Sequence, residues 1–239
     1  MINLVKTNIT SLLDLLRGRK IISISGESGT GKTTLALQLI TSIMTQADAF
    51  DNQVVWIQAS EQFPKKRLRT FFKSSNGKSD ALLKKIFVYP TSTPFLNYED
   101  QSFFFNTLGS IMLPFNTKCL VIDNISHHLR LAVSCCSNYK QKTALLDEFF
   151  SSQLFPLIMR CLREEIVLVL IHEISFNPTL GKNQIFFNKL YSRINSVNIC
   201  LSKPFNPKSK TKRMELELRD EQITSELKYK ILERGISLV

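Results

Sequence analysis

The chain has 239 residues, 44% of them hydrophobic, with 31 basic against 20 acidic residues and a net charge of +11. The length suits one α/β domain with a full-sized core, and the hydrophobic content excludes a disordered chain. No apolar run reaches membrane-spanning length and the N-terminus lacks a basic-then-apolar signal pattern, so a protein inside the cell is expected, and the positive charge favours a polyanionic partner over a merely basic surface.

Asn8 to Arg17 carries Leu12, Leu13, Leu15 and Leu16, a short apolar helix entering a buried strand from Lys20 to Ser25. Gly26, Glu27, Ser28, Gly29, Thr30, Gly31, Lys32, Thr33 and Thr34 follow, and match G-x-x-x-x-G-K-[ST] at every fixed position. The small residues let successive backbone N–H groups approach phosphate oxygens, and the helix opening at Thr33 adds a partial positive charge. Lys32 can then reach the β- and γ-phosphates, and the Thr33 hydroxyl can ligate Mg²⁺. A chance glycine-rich turn would not carry strand, loop and helix in register, so the motif implies a nucleoside triphosphate site.

The helix after the loop is expected to run to about Gln46, and the next strand spans Gln53 to Ile57. A basic helix follows Pro64 and reaches about Lys73; Ser74 to Ser79 reads as a polar loop. Ile86 to Tyr89 is a third strand and Asp100 to Leu113 a Phe-rich helix, whose Phe103, Phe104 and Phe105 suit a core or a subunit contact. Lys118 to Asp123 is an apolar run ending in a carboxylate, as a second Mg²⁺-linked position beside the phosphate loop requires. Asp123 as the N-cap of the next helix is the plainer alternative.

A long helical stretch is expected from about Asn138 to Arg163, then a buried strand from Ile166 to Ile171 closed by His172 and Glu173. Ser196 to Leu201, Met214 to Leu218 and Leu227 to Ile231 read as later, antiparallel strands. No linker or internal repeat interrupts residues 1–239, so a single domain is expected. Basic runs without an intervening acid, Pro64 to Arg69 and Lys203 to Arg213, add weight to nucleic acid. The five cysteines are odd in number and lack CxxC spacing, which excludes a disulfide framework and a zinc site. His127, His128 and His172 have no ligand spacing with them and suit structural or phosphate-proximal places.

In order along nearly the whole chain, these landmarks resemble the RecA/RadA recombinase superfamily. Val55 to Leu68 looks like its segment Y-I-D-T-E-x-x-F-x-x-x-R-L; Leu120 to Arg130 is similar to V-V-I-D-S followed by S-x-F-R; Val169 to Ile174 sits at V-x-T-N-Q-V; and Tyr229 to Ile236 resembles the closing strand. The resemblance implies a RecA-like P-loop ATPase core: a mainly parallel central sheet flanked by helices, with antiparallel strands at the C-terminal end. It also implies that Arg67 stacks on adenine, against a solvated or phosphate-contacting arginine, and that DNA is read by two loops, here near Ser134 to Lys142 and Phe176 to Phe187.

The departures point to the paralogue branch, archaeal RadB and the eukaryotic recombinase paralogues. The activating Glu falls at Ser60, with Glu61 one residue late as a candidate base or an exposed acid at a strand end. The γ-phosphate-sensing Gln is Glu173, a repulsive charge unless protonated or turned away. The N-terminal helical domain and polymerisation segment are expected to be missing. The implied protein binds ATP and Mg²⁺ with weak or no hydrolysis. It contacts DNA, single-stranded foremost, and joins a recombinase filament and other paralogue subunits in recombination and repair, away from membranes, in the nucleus if eukaryotic and the cytoplasm if archaeal. The competing implication is a KaiC-like regulatory ATPase acting on protein partners without DNA.

Overall fold

A computed structural model describes residues 8–45, 51–72, 78–178, 181–204, 206, 209–218 and 221–239. Asn8 starts the first helix by accepting the Ser11 N–H on its side chain (2.9 Å), and α1 (Ile9–Arg17) buries Leu12 and Leu16. β1 (Ile21–Gly26) is buried at every residue and leads through the phosphate loop into α2 (Lys32–Met44). β2 (Gln53–Gln58), α3 (Lys65–Phe71), α4 (Lys78–Leu83) and β3 (Ile86–Tyr89) follow. The polar loop expected over residues 74–79 therefore closes as helix at its end, and its residues 74–77, like the expected end of α2 at Gln46, lie outside the described residues.

α5 (Tyr98–Leu108) is shorter than its Phe-rich pattern suggests. The buried Arg160 guanidinium takes the carbonyls of Leu108 and Ile111, and a longer helix would spend the Leu108 carbonyl on its own ladder. Phe104 and Phe105 enter the core, whereas Phe103 is 78% exposed. β4 (Thr117–Asp123) precedes α6 (His127–Cys135), α7 (Tyr139–Glu148), a π-helical segment over Phe149–Leu154, and α8 (Phe155–Arg163). The π segment ends two residues before Pro156, whose missing N–H cannot serve a regular ladder there. The expected loop near Ser134 to Lys142 is mostly helix, since α6 ends at Cys135 and Asn138 caps α7.

β5 (Val167–His172) is followed by a hairpin, β6 (Ile174–Asn177) with β7 (Lys182–Ile185), where a plain loop was expected. α9 (Asn188–Tyr191), β8 (Val197–Ser202), β9 (Lys212–Leu218), β10 (Ile223–Leu232) and β11 (Gly235–Leu238) complete the chain. The main sheet has the order β11-β10-β9-β8-β1-β5-β4-β2-β3. β3, β2, β4, β5, β1 and β8 run parallel; β9, β10 and β11 are antiparallel. Two expectations are corrected by this pairing. β8 is parallel to β1 and antiparallel only to β9, and the closing strand is a hairpin turned at Glu233 and Arg234.

One core fills the sheet face under α1 and α2 and another the face under α5, α8 and the π segment. This layering brings the carboxyl ends of β1, β2, β4 and β5 to one edge of the sheet, where a ligand site of an open α/β fold belongs. All five cysteines are free, and no described helix is long and apolar enough to cross a membrane.

Candidate functional site

The phosphate loop is held by backbone geometry. Gly29 and Gly31 have φ of +76° and +98°, which side-chain-bearing residues rarely adopt. A Cβ on Gly26 would stand 2.3 Å from the Leu201 carbonyl oxygen, so β8 approaches the loop as closely as a glycine allows. The C-terminal strands support it from below. Buried Tyr229 of β10 donates its hydroxyl to the Thr30 carbonyl (2.6 Å), and Gln38 of α2 exchanges two hydrogen bonds with Ile236 of β11. Nothing in the motif itself announces Tyr229 or Leu201, which are local to distant parts of the chain, and Gln38 of α2 finds its partner only in β11.

Inside this frame, Lys32 donates to the carbonyls of Gly26 (2.7 Å) and Glu27 (3.1 Å), which hold its ammonium across the loop. Burial lowers its pKa, against the pull of Asp123, Glu173 and Glu61. The Thr33 hydroxyl donates to Asp123 Oδ2 at 3.0 Å. Asp123 is 2% exposed; burial pushes its carboxyl up to about 7, the Glu61 charge adds to this, and Thr33 and Lys32 oppose it. The start of α6 is served instead by Asn124, whose side-chain oxygen accepts the N–H groups of Ser126 and His127, each at 3.0 Å. Asp123 is thereby left to the loop. The hydroxyl of Thr33 and carboxylate of Asp123 are the hard oxygen donors that Mg²⁺ prefers. Among the described residues no group of three or more His, Cys, Asp or Glu side chains could cage a metal.

A cleft of about 910 Å³ joins these residues. Gly26, Glu27, Ser28, Gly29, Gly31, Lys32, Thr33 and Thr34 form its near wall, while Thr30 is buried beneath, with Glu61, Arg67 and Asp123 also lining the space. Glu61 is exposed, and the hydroxyl of neighbouring Ser60 accepts the Asn124 N–H at 3.4 Å. Arg67 donates to the Leu232 carbonyl (2.8 Å), with its guanidinium 5.7 Å from the centre of the Phe71 ring. It lies at the cleft side of α3, restrained by the end of β10.

The far wall comes from Asn124, Arg130, Glu173, Ile174, Asn183 and Phe186. Glu173 neither points away nor is set up to be protonated. Burial alone would raise its pKa, but hydrogen bonds from His127 (2.9 Å) and Asn124 (3.2 Å) and the Arg130 charge hold it below the ordinary carboxylate value. Arg130 Nε stands 3.1 Å from Glu173 Oε2 without the alignment of a hydrogen bond, an ion pair steered by position. Asn183 donates to Glu27 (3.3 Å) and Lys203 pairs with the same carboxylate (3.4 Å), so the hairpin touches the phosphate loop directly. Sequence reasoning named Glu173 but not Arg130, Asn124 or Asn183. The sole local signal was the Arg at the end of the Leu120 to Arg130 segment.

The family model described as "ATPase: KaiC" matches residues 5–238. Among solved structures, one described as a RadB recombinase superposes with a TM-score of 0.70 at 22% identity, covering 94% of each chain. No curated protein matches.

Proposed function

The chain belongs to the KaiC-type ATPase family, and from that premise we propose that it is an ATP-binding recombinase paralogue. It holds ATP with Mg²⁺ in the cleft, contacts DNA, single-stranded DNA foremost, and assists a recombinase filament with partner paralogue subunits. The observation that carries this reading is the RecA-like fold, shared with a RadB recombinase along nearly the whole chain. Exposed Lys65, Lys66 and Arg69 on α3, with Lys203, Lys210 and Arg213 around β8 and β9, supply the cationic surface that DNA phosphates need. Lys65 and Lys66 have no acidic partner among the described residues, so their charge is not already neutralised.

The residues divide the work. Backbone N–H groups of residues 26–34 bind phosphate oxygens, Lys32 neutralises the β- and γ-phosphates, and Arg67 borders the adenine end. Thr33 and Asp123 would hold Mg²⁺, which when bound neutralises charge on the β- and γ-oxygens. Glu61 is the base candidate at the water side. Ser60 carries a neutral hydroxyl where the resemblance expects the activating carboxylate, and a hydroxyl is too weakly basic to take the proton of water, so hydrolysis is slow or absent. A second reading, a KaiC-like regulator of protein partners without DNA, is favoured by the matching family's description.

Fluorescence anisotropy with single-stranded and duplex DNA, across salt and with or without ATP·Mg²⁺, separates the two for the native chain and Lys32→Ala. The paralogue reading expects binding that weakens steeply with salt, by about 10-fold or more between 50 and 200 mM, and that responds to ATP only in the native chain. Absence of DNA binding at low salt in every state overturns the DNA role and favours the regulator.

A further inference from the structure

We propose that Arg130 is the residue by which the cleft distinguishes a nucleoside triphosphate from a diphosphate, with Glu173 as the positioning residue that holds Arg130 in place. The proposal rests on reading the cleft as a nucleotide site.

The argument starts from a conflict of charge. Lys32 marks the end of the cleft where the β- and γ-phosphates lie, and Glu173 lines the same cleft beside Arg130. Glu173 is therefore within reach of the terminal phosphate's field, and two anions facing each other in a half-buried site repel strongly. Protonation does not remove the conflict, because His127 and Asn124 donate to the carboxylate and stabilise its ionised form. Rotation does not remove it either, since those contacts fix the side chain and the Glu173 N–H is itself bonded to Ser126 (2.9 Å).

Arg130 is placed to resolve the conflict. Its guanidinium is confined from two sides, by Glu173 at 3.1 Å and by the Phe186 ring at 5.1 Å from its centre. Yet its terminal nitrogens have no hydrogen-bond acceptor among the described residues, and the side chain is 38% exposed on the cleft wall. A planar fork with both outer nitrogens free is suited to phosphate oxygens, and the confinement on two sides reduces the entropy lost when it binds. Arg67, the other arginine lining the cleft, already donates to Leu232 and borders the opposite end. A terminal phosphate then sits with Arg130 between it and Glu173, one cation shared by two anions. A diphosphate ends at the loop and Lys32 and does not engage the fork. Glu173, at the position where the resemblance expects a neutral Gln, thus makes the arginine obligatory: without Arg130, it repels the very group the site must admit.

Isothermal titration with AMPPNP·Mg²⁺ and ADP·Mg²⁺ tests this on the full chain and on Arg130→Ala, Arg130→Lys, Glu173→Gln and the Arg130→Ala/Glu173→Gln pair. Expected are an AMPPNP affinity at least about 10-fold weaker in Arg130→Ala with ADP changed less than about 3-fold, an intermediate loss in Arg130→Lys, and recovery of most of the loss in the pair. ADP binding by each variant reports that it is folded. An unchanged ratio of the two affinities in Arg130→Ala, or a pair no better than Arg130→Ala, overturns this proposal alone. Failure of the native chain to bind either nucleotide overturns the nucleotide reading and the proposal together.

Discussion

The two walls of the cleft are built on opposite principles. The near wall is one contiguous stretch, Gly26 to Thr34, whose backbone shape is set by glycine conformations and supported by buried β8 and β10. The far wall is collected from the ends of β4 and β5, from α6 and from the β6–β7 hairpin, and its working groups are side chains held by one another's hydrogen bonds and charge. A backbone cradle tolerates no change of shape but is indifferent to which phosphate occupies it. A side-chain wall is easily altered, and is where discrimination between ligands can reside. Damage to the near wall should therefore register as lost stability, and damage to the far wall as altered ligand preference.

The largest effect expected from that contrast is Gly26→Ala. Its Cβ would meet the Leu201 carbonyl oxygen at 2.3 Å, a backbone atom that cannot swing aside, and φ is +150°. A loss on the order of 3 kcal/mol or more in urea unfolding is expected; a fully stable variant would show that the near wall has slack. Tyr229→Phe comes next. It leaves the Thr30 carbonyl without its hydroxyl donor and should cost about 1–3 kcal/mol, weakening ATP and ADP alike. Selective loss of ATP in this variant would mean that the near wall also discriminates.

The smallest effect is a pH slope behind the far wall. His172, the residue before Glu173, is fully buried against Tyr191 with neither ring nitrogen hydrogen-bonded, and burial drives its pKa from 6.5 down to about 3. The unfolded chain takes up a proton there near 6.5 and the folded chain only near 3, so stability falls as pH drops through that window. Thermal melts of His172→Leu should lose part of the native chain's acid sensitivity between about pH 6.5 and 5. Equal slopes in both proteins would place the histidine in contact with water or a partner.

The sequence by itself determined the near wall and most of the framework. A glycine-lysine-threonine spacing between a strand and a helix is a local statement about backbone conformation, and the buried strands at β1, β2, β4 and β5 read directly from continuous apolar runs. The place of Asp123 was legible because it closes a continuous apolar run, which the structure shows as the carboxyl end of β4. The direction of β8, the closing hairpin and the early end of α5 were not legible, since each depends on a partner far along the chain: β1, Gln38 and Arg160 respectively. The state of Glu173 belongs with them. Seen as a letter, it is a negative charge; its pairing with Arg130 and its hydrogen bonds from His127 and Asn124 exist only once β4, α6 and β5 meet at one edge of the sheet. Local conformation is encoded by neighbours in sequence, whereas a charge's environment is set by neighbours in space, and that was left for tertiary structure to decide.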